Sequence, residues 1–112
     1  MIYKILRGPE FAELVAAGET AGAIVDRADG FVHFSAPDQV AETAAKHFAG
    51  EAGLWLLACA PEAMGAALVW EPSRGGALFP HLYRRLSVAD VVWARPLPLG
   101  DDGRRAFPED LA

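Results

Sequence analysis

The sequence predicts a single compact α+β domain, and three observations lead there. Two segments carry apolar residues at helical spacing, and five or six others are short and β-rich, bounded by Gly, Pro or small polar residues. The chain of 112 residues has room for one domain. Hydrophobic residues make up 53% and charged residues 22%, a balance that builds a core rather than a disordered chain. The domain is expected over residues 1–98, followed by an irregular tail over 99–112 that carries GDDGRR and PED.

Ile2 to Leu6 (IYKIL) reads as a strand stopped by Gly8-Pro9. Pro9 suits the first turn of a helix, Phe11, Leu14 and Val15 follow at helical spacing, and Gly18 closes it. Glu19 to Asp29 is small and polar and reads as a connection, with at most a short strand around Ala23 to Val25. Gly30 to Ser35 (GFVHFS) reads as a strand with Phe31, His33 and Ser35 on one face. The SAPD run from Ser35 to Asp38 has the pattern of a capping box. It opens a second helix in which Val40, Ala44, His47 and Phe48 share one side before Gly50.

Leu54 to Cys59 is continuously apolar, as a strand buried on both faces is. Pro61 to Met64 reads as one helical turn, Leu68 to Glu71 as a strand, and Pro72 to Ala77 (PSRGGA) as a glycine-rich loop. Leu78 to Tyr83 (LFPHLY) is strand-like, but Pro80 lacks a donor for the ladder, which assigns it to an edge or a bend. Val91 to Arg95 is the last strand.

Ten Lys and Arg against fifteen Asp and Glu give a net charge of −5, with no basic face to displace the counterions of a duplex nucleic acid. The longest nearly unbroken apolar run, Leu54 to Ala60, is far shorter than the roughly 20 residues that span a bilayer. The N-terminus has no apolar core of a signal peptide, so a cytoplasmic setting away from membranes is expected. Cys59, the single cysteine, continues an apolar run and is expected to be buried and chemically quiet.

Candidate chemistry sits where polar residues interrupt apolar strands. His33 is either a hydrogen-bonded core residue or a catalyst, and Ser35 is either the cap of the second helix or part of a small anion site. Glu71 stands beside Trp70, where partial desolvation would raise its pKa and suit it to acid/base work. Arg74 beside Gly75-Gly76 offers a forked donor to phosphate or carboxylate, although the phosphate-loop spacing is absent. Phe79, His81 and Tyr83 alternate, so an extended chain puts them on one face, fit to stack on a planar ring or to cover the core. No metal-ligand spacing and no nucleophile-elbow motif is present.

The combination of IYKI at the start, DGFVHFS with Gln39 four residues on, and VWEPSRGGALFPHLYRRL resembles a family of small bacterial proteins, domain of unknown function number 952. The resemblance runs from Ile2 to about Leu97. That family is similar to the ADP-ribosylation fold superfamily, which implies a split core of small mixed β-sheets with two main helices and a cleft for NAD or an ADP-ribose-like compound. The positions that match are His33, Ser35, Glu71, Phe79, Pro80, His81 and Tyr83, while Lys4 stands where many members carry a histidine.

Three functions follow. In the first, an enzyme takes NAD as substrate rather than as a fixed cofactor: Glu71 stabilises an oxocarbenium-like state, Tyr83 or Phe79 stacks on the leaving ring, and His33 with Lys4 and Arg74 holds ribose or phosphate. In the second, a binding module keeps the cleft without the chemistry. In the third, a small acid/base hydrolase or isomerase uses His33, His81 and Glu71.

Overall fold

The structure, a computed structural model, describes residues 1–109 and Leu111. In chain order the elements are β1 (Ile2–Leu6), α1 (Gly8–Ala17), β2 (Glu19–Thr20), α2 (Ile24–Asp29), β3 (Val32–His33), α3 (Val40–His47), β4 (Leu54–Cys59), β5 (Leu68–Pro72), β6 (Leu78–Leu82), β7 (Leu86–Ser87) and β8 (Val91–Leu97). They build an α+β domain with three small sheets, ordered β1-β4-β8, β3-β6-β5 and β2-β7. Among the described residues every pairing is antiparallel, so the sheets are not mixed, and the two main helices, α1 and α3, are joined by a third, the six-residue α2. Among the described residues no helix is long and apolar enough to cross a membrane.

The unbroken apolar run of β4 has a structural reason: β4 is the middle strand of its sheet and both of its faces are covered. Leu57 and Cys59 join Ile2, Leu6, Leu14 and Val32 on one side, while Leu54, Leu56 and Ala58 join Tyr3, Ile5, Val40 and Ala44 on the other. Successive side chains of a strand point to opposite faces, so an uninterrupted run serves two cores at once. Cys59 is fully buried, and burial pushes its thiol up to about 12. Native protein is therefore expected to resist thiol reagents at neutral pH and to react only on unfolding; labelling at the rate of a free thiol would contradict the buried strand. The C-terminal segment packs too: Phe107 and Leu111 lie against the second core, and Arg105 donates to the Phe48 carbonyl.

Three expectations need correction. The stretch read as a connection contains α2, whose start is held by the Asp26 carboxylate accepting from the Ala23 amide at 2.7 Å and whose end is Gly30 at φ 82°. Six residues are too few to show a helical period, and Ile24 and Val25 are exposed, so α2 has no apolar stripe to read. Pro80 sits in β6, the middle strand of its sheet rather than an edge. The Phe34 amide donates to the Pro80 carbonyl at 2.9 Å, and Pro80 cannot return the second bond of that pair. The missing donor thus falls where β3 has already ended, and the β5 side of β6 keeps its register. Ser35 does not cap a helix: Gln39 precedes α3, and the Ser35 hydroxyl meets the Thr43 hydroxyl at 2.8 Å.

Candidate functional site

One short piece of chain ties two sheets together. After β3 leaves β6, Ser35 exchanges both backbone hydrogen bonds with Tyr3 of β1, at 2.8 and 2.9 Å. This join sets His33 between Lys4 of β1 and His81 of β6. The Lys4 ammonium donates to the His33 carbonyl at 2.9 Å and pairs with Asp26 at 2.7 Å. Asp26 in turn accepts from the His33 amide at 2.9 Å and meets its ring Nδ1 at 2.6 Å, while Asp29 lies 3.0 Å from Nε2.

The Asp26 side chain is wholly buried. Burial alone would raise its pKa, but the His33 hydrogen bond and the Lys4 charge outweigh it and hold the carboxyl at about 2. Gly22, at φ 91°, leaves the space this carboxylate occupies, since a Cβ there would collide with it.

A second network lies beside the first. Glu71 Oε1 accepts from the Tyr83 hydroxyl at 2.6 Å and meets His81 Nδ1 at 2.8 Å. These two contacts, Tyr83 first, hold Glu71 below the usual carboxylate range, and Glu71 pushes the Tyr83 hydroxyl up. The expected upward shift beside Trp70 is thereby reversed: Trp70 is half-exposed, and alternation along β5 turns it away from Glu71. Because Oε1 is an acceptor, His81 donates from Nδ1, and in the neutral ring Nε2 then carries the lone pair. His81 is only 5% exposed, and its Nε2 is buried with no hydrogen-bond partner. Phe31 packs on both histidines and on Tyr83, with ring centroids 4.5 Å from His33, 4.3 Å from His81 and 5.0 Å from Tyr83.

A cavity of about 560 Å³ opens against these residues. Lys4, His33, Ser35, Phe79 and His81 line it, as do Tyr3, Arg7, Phe34, His47 and Phe48. Its size falls in the range of about 300–1,000 Å³ usual for small-molecule sites. Glu71 and Tyr83 do not line it; they stand behind His81. Arg74 lies in the turn Arg74–Gly76, and its side chain is outside what the structure describes. Among the described residues no group of three or more His, Cys, Asp or Glu is placed to hold a metal ion.

Asp26 and Arg7 escaped the sequence reading, while Phe31 reads there only as part of a strand face and His47 only as a helix-packing residue. Asp26 belongs to the unrecognised α2, and its one local signal is a carboxylate three residues into a segment that ends in Gly30. His47 is on α3 and reads from its spacing as a packing residue, yet it reaches the cavity.

The family described as "Protein of unknown function (DUF952)" matches residues 5–94. The crystal structure of protein CC0527 from Caulobacter crescentus is 51% identical over 94% of this chain and 92% of that one, with a TM-score of 0.88. The solution NMR structure of the same protein is 53% identical over 91% and 88%, with a TM-score of 0.80. No curated protein matches the chain.

Proposed function

The chain belongs to this DUF952 family, and we propose that it is an acid/base enzyme for a small molecule, with His81 as the base and Glu71 as the carboxylate that orients it. One observation carries this reading: the buried Nε2 of His81 lacks a partner on a ring that lines the cavity. A buried polar atom left unpaired costs about 1–3 kcal/mol, a cost that a ligand donor recovers. With Glu71 on Nδ1 and its ring at the cavity wall, His81 takes a proton once the groups that cover Nε2 move aside.

In the proton-transfer step a substrate O–H, N–H or acidic C–H bond breaks and its electron pair stays on the substrate. The proton forms a bond to His81 Nε2, and Glu71 steadies the imidazolium through Nδ1–H. His33 has its ring centroid 5.2 Å from that of His81 and a carboxylate at each nitrogen, and it returns a proton only where a substrate displaces the exposed Asp29 from Nε2. Such paired transfer serves a hydrolase or an isomerase alike.

An ADP-ribosyl-transfer reading asks for a carboxylate facing the reacting sugar carbon. Glu71 is instead engaged by Tyr83 and His81 and stands outside the cavity lining, so the geometry favours proton transfer.

Side-chain ¹⁵N NMR of the imidazole rings tests the base. At pH 8 His81 is expected to show a protonated Nδ1 and a bare Nε2, and Glu71→Gln to disturb that tautomer while the fold persists. A His81 protonated at Nε2 in the native protein would remove the base from the proposal.

A further inference from the structure

The charges around the cavity restrict what it can take. Its lining contains Lys4 and Arg7, and both are already paired. Lys4 pairs with Asp26 at 2.7 Å. Arg7 makes a two-pronged contact with Glu51 at 2.8 and 3.0 Å, with Glu10 3.9 Å away. His33 faces Asp26 and Asp29, and His81 faces Glu71. Five carboxylates, Glu10, Asp26, Asp29, Glu51 and Glu71, therefore stand against Lys4 and Arg7. They outnumber the cations even when Arg105, whose charge reaches Glu51, is added. The rest of the lining mixes rings, from Tyr3, Phe34, Phe48 and Phe79, with aliphatic side chains and polar ones such as Thr43 and Ser73.

A diphosphate or other polyanion entering here would lose its water and meet Lys4 and Arg7 already paired, while Arg105, with one unpartnered nitrogen, lies outside the lining. A neutral or cationic ring loses little on entry, stacks on the lining rings and sits in a field of surplus negative charge. A donor on that ring also satisfies His81 Nε2, which belongs to a lining residue and, among the described residues, shares its lack of a partner only with Arg105 Nη1 outside the lining.

We propose that the ligand of this cavity is an uncharged or singly cationic aromatic compound that presents an N–H donor to His81. The proposal rests on the acid/base reading of the same site and names its substrate class. The carboxylates act as a filter: they hold the lining cations and histidines in place and leave no attraction for anions.

Benzamidine, benzamide and benzoate test it, because they share one ring and nearly one size while their charge runs from +1 through 0 to −1. Each is titrated at pH 7.5 into ¹⁵N-labelled protein through the millimolar range, where ligands of this size bind, with the His81 ring nitrogens as the readout. Benzamide and benzamidine are expected to shift the His81 Nε2 resonance saturably, and benzoate to bind at least tenfold more weakly. ADP-ribose is added as a polyanionic competitor and is expected not to displace benzamide. Tighter binding of benzoate, displacement by ADP-ribose, or no saturable shift with benzamide overturns the proposal. The ligand-free His81 tautomer is read from the same sample. A bare Nε2 with benzoate preferred would therefore sink the substrate class alone, and a protonated Nε2 would sink the base.

Discussion

Asp26→Asn is expected to lower the stability of the fold by about 3–5 kcal/mol, the usual loss when one member of a buried ion pair is removed. The substitution leaves Lys4, only 6% exposed, with its charge uncompensated, and it weakens the acceptor for the Ala23 and His33 amides. In a domain this size the melting temperature should fall by more than about 10 °C.

Adding Lys4→Met to Asp26→Leu should recover part of the loss, since an apolar pair replaces a broken ionic one, although the two amides stay unanswered. The pH dependence has a definite sign. The Asp26 carboxyl sits at about 2 in the fold against an ordinary 3.8, so its contribution is complete above the ordinary value and fades as pH falls from about 4 through about 2. At roughly 2 kcal/mol it should appear as an acid limb in wild-type unfolding curves that Asp26→Asn lacks. A variant melting within a degree or two of wild type would show that Lys4 and His33 do not depend on this carboxylate.

Glu71→Gln is expected to cost about 10²-fold or more in turnover once a substrate is in hand, while the unfolding midpoint hardly moves. Glutamine can still accept from Tyr83, but it offers no charge to steady a protonated His81. Its amide can also donate to Nδ1, which favours the wrong tautomer. Tyr83→Phe makes a finer test. Its hydroxyl is the first of the two contacts holding Glu71 low, so its removal should let Glu71 rise, and the acid edge of the pH–rate profile should move to higher pH. Loss of activity through misfolding would instead be seen as a lower melting temperature in both variants. Full activity in Glu71→Gln would exclude the carboxylate from the chemistry.

The strands that pair over their whole length were legible because each carries its own local signal. IYKIL, LWLLAC, LVWE and VVWAR have β-rich runs with clear stops, and they appear as β1, β4, β5 and most of β8. What failed depends on distant partners. Nothing near Pro80 says that its missing donor would fall beside a strand that has just ended, and nothing near Ser35 says that Tyr3 would claim its backbone. The same holds for the site. His33, Glu71, His81 and Tyr83 stood out as polar residues in apolar strands, and the structure brings them together through Phe31 and two short carboxylate contacts. Asp26, the residue that organises Lys4 and His33, lies in a short polar helix without periodicity, so no pattern in the chain advertises it.

The antiparallel pairing of β1 with β4 has a consequence for the chain while it is still being made. β1 is synthesised before its partner, which follows only after three helices, β2 and β3 have been made. During that interval IYKIL is an unpaired stretch of high β-propensity, the kind of segment that finds other chains. Lys4 is its single charge, and at that stage it has no fold to hide in and no Asp26 to meet. It then works as a gatekeeper, keeping the nascent segment hydrated until β4 arrives. The lysine that must be neutralised to fold is thus the residue that keeps the chain available for folding, and a Lys4→Met chain, however well paired with Asp26→Leu once native, should aggregate more on dilution from denaturant.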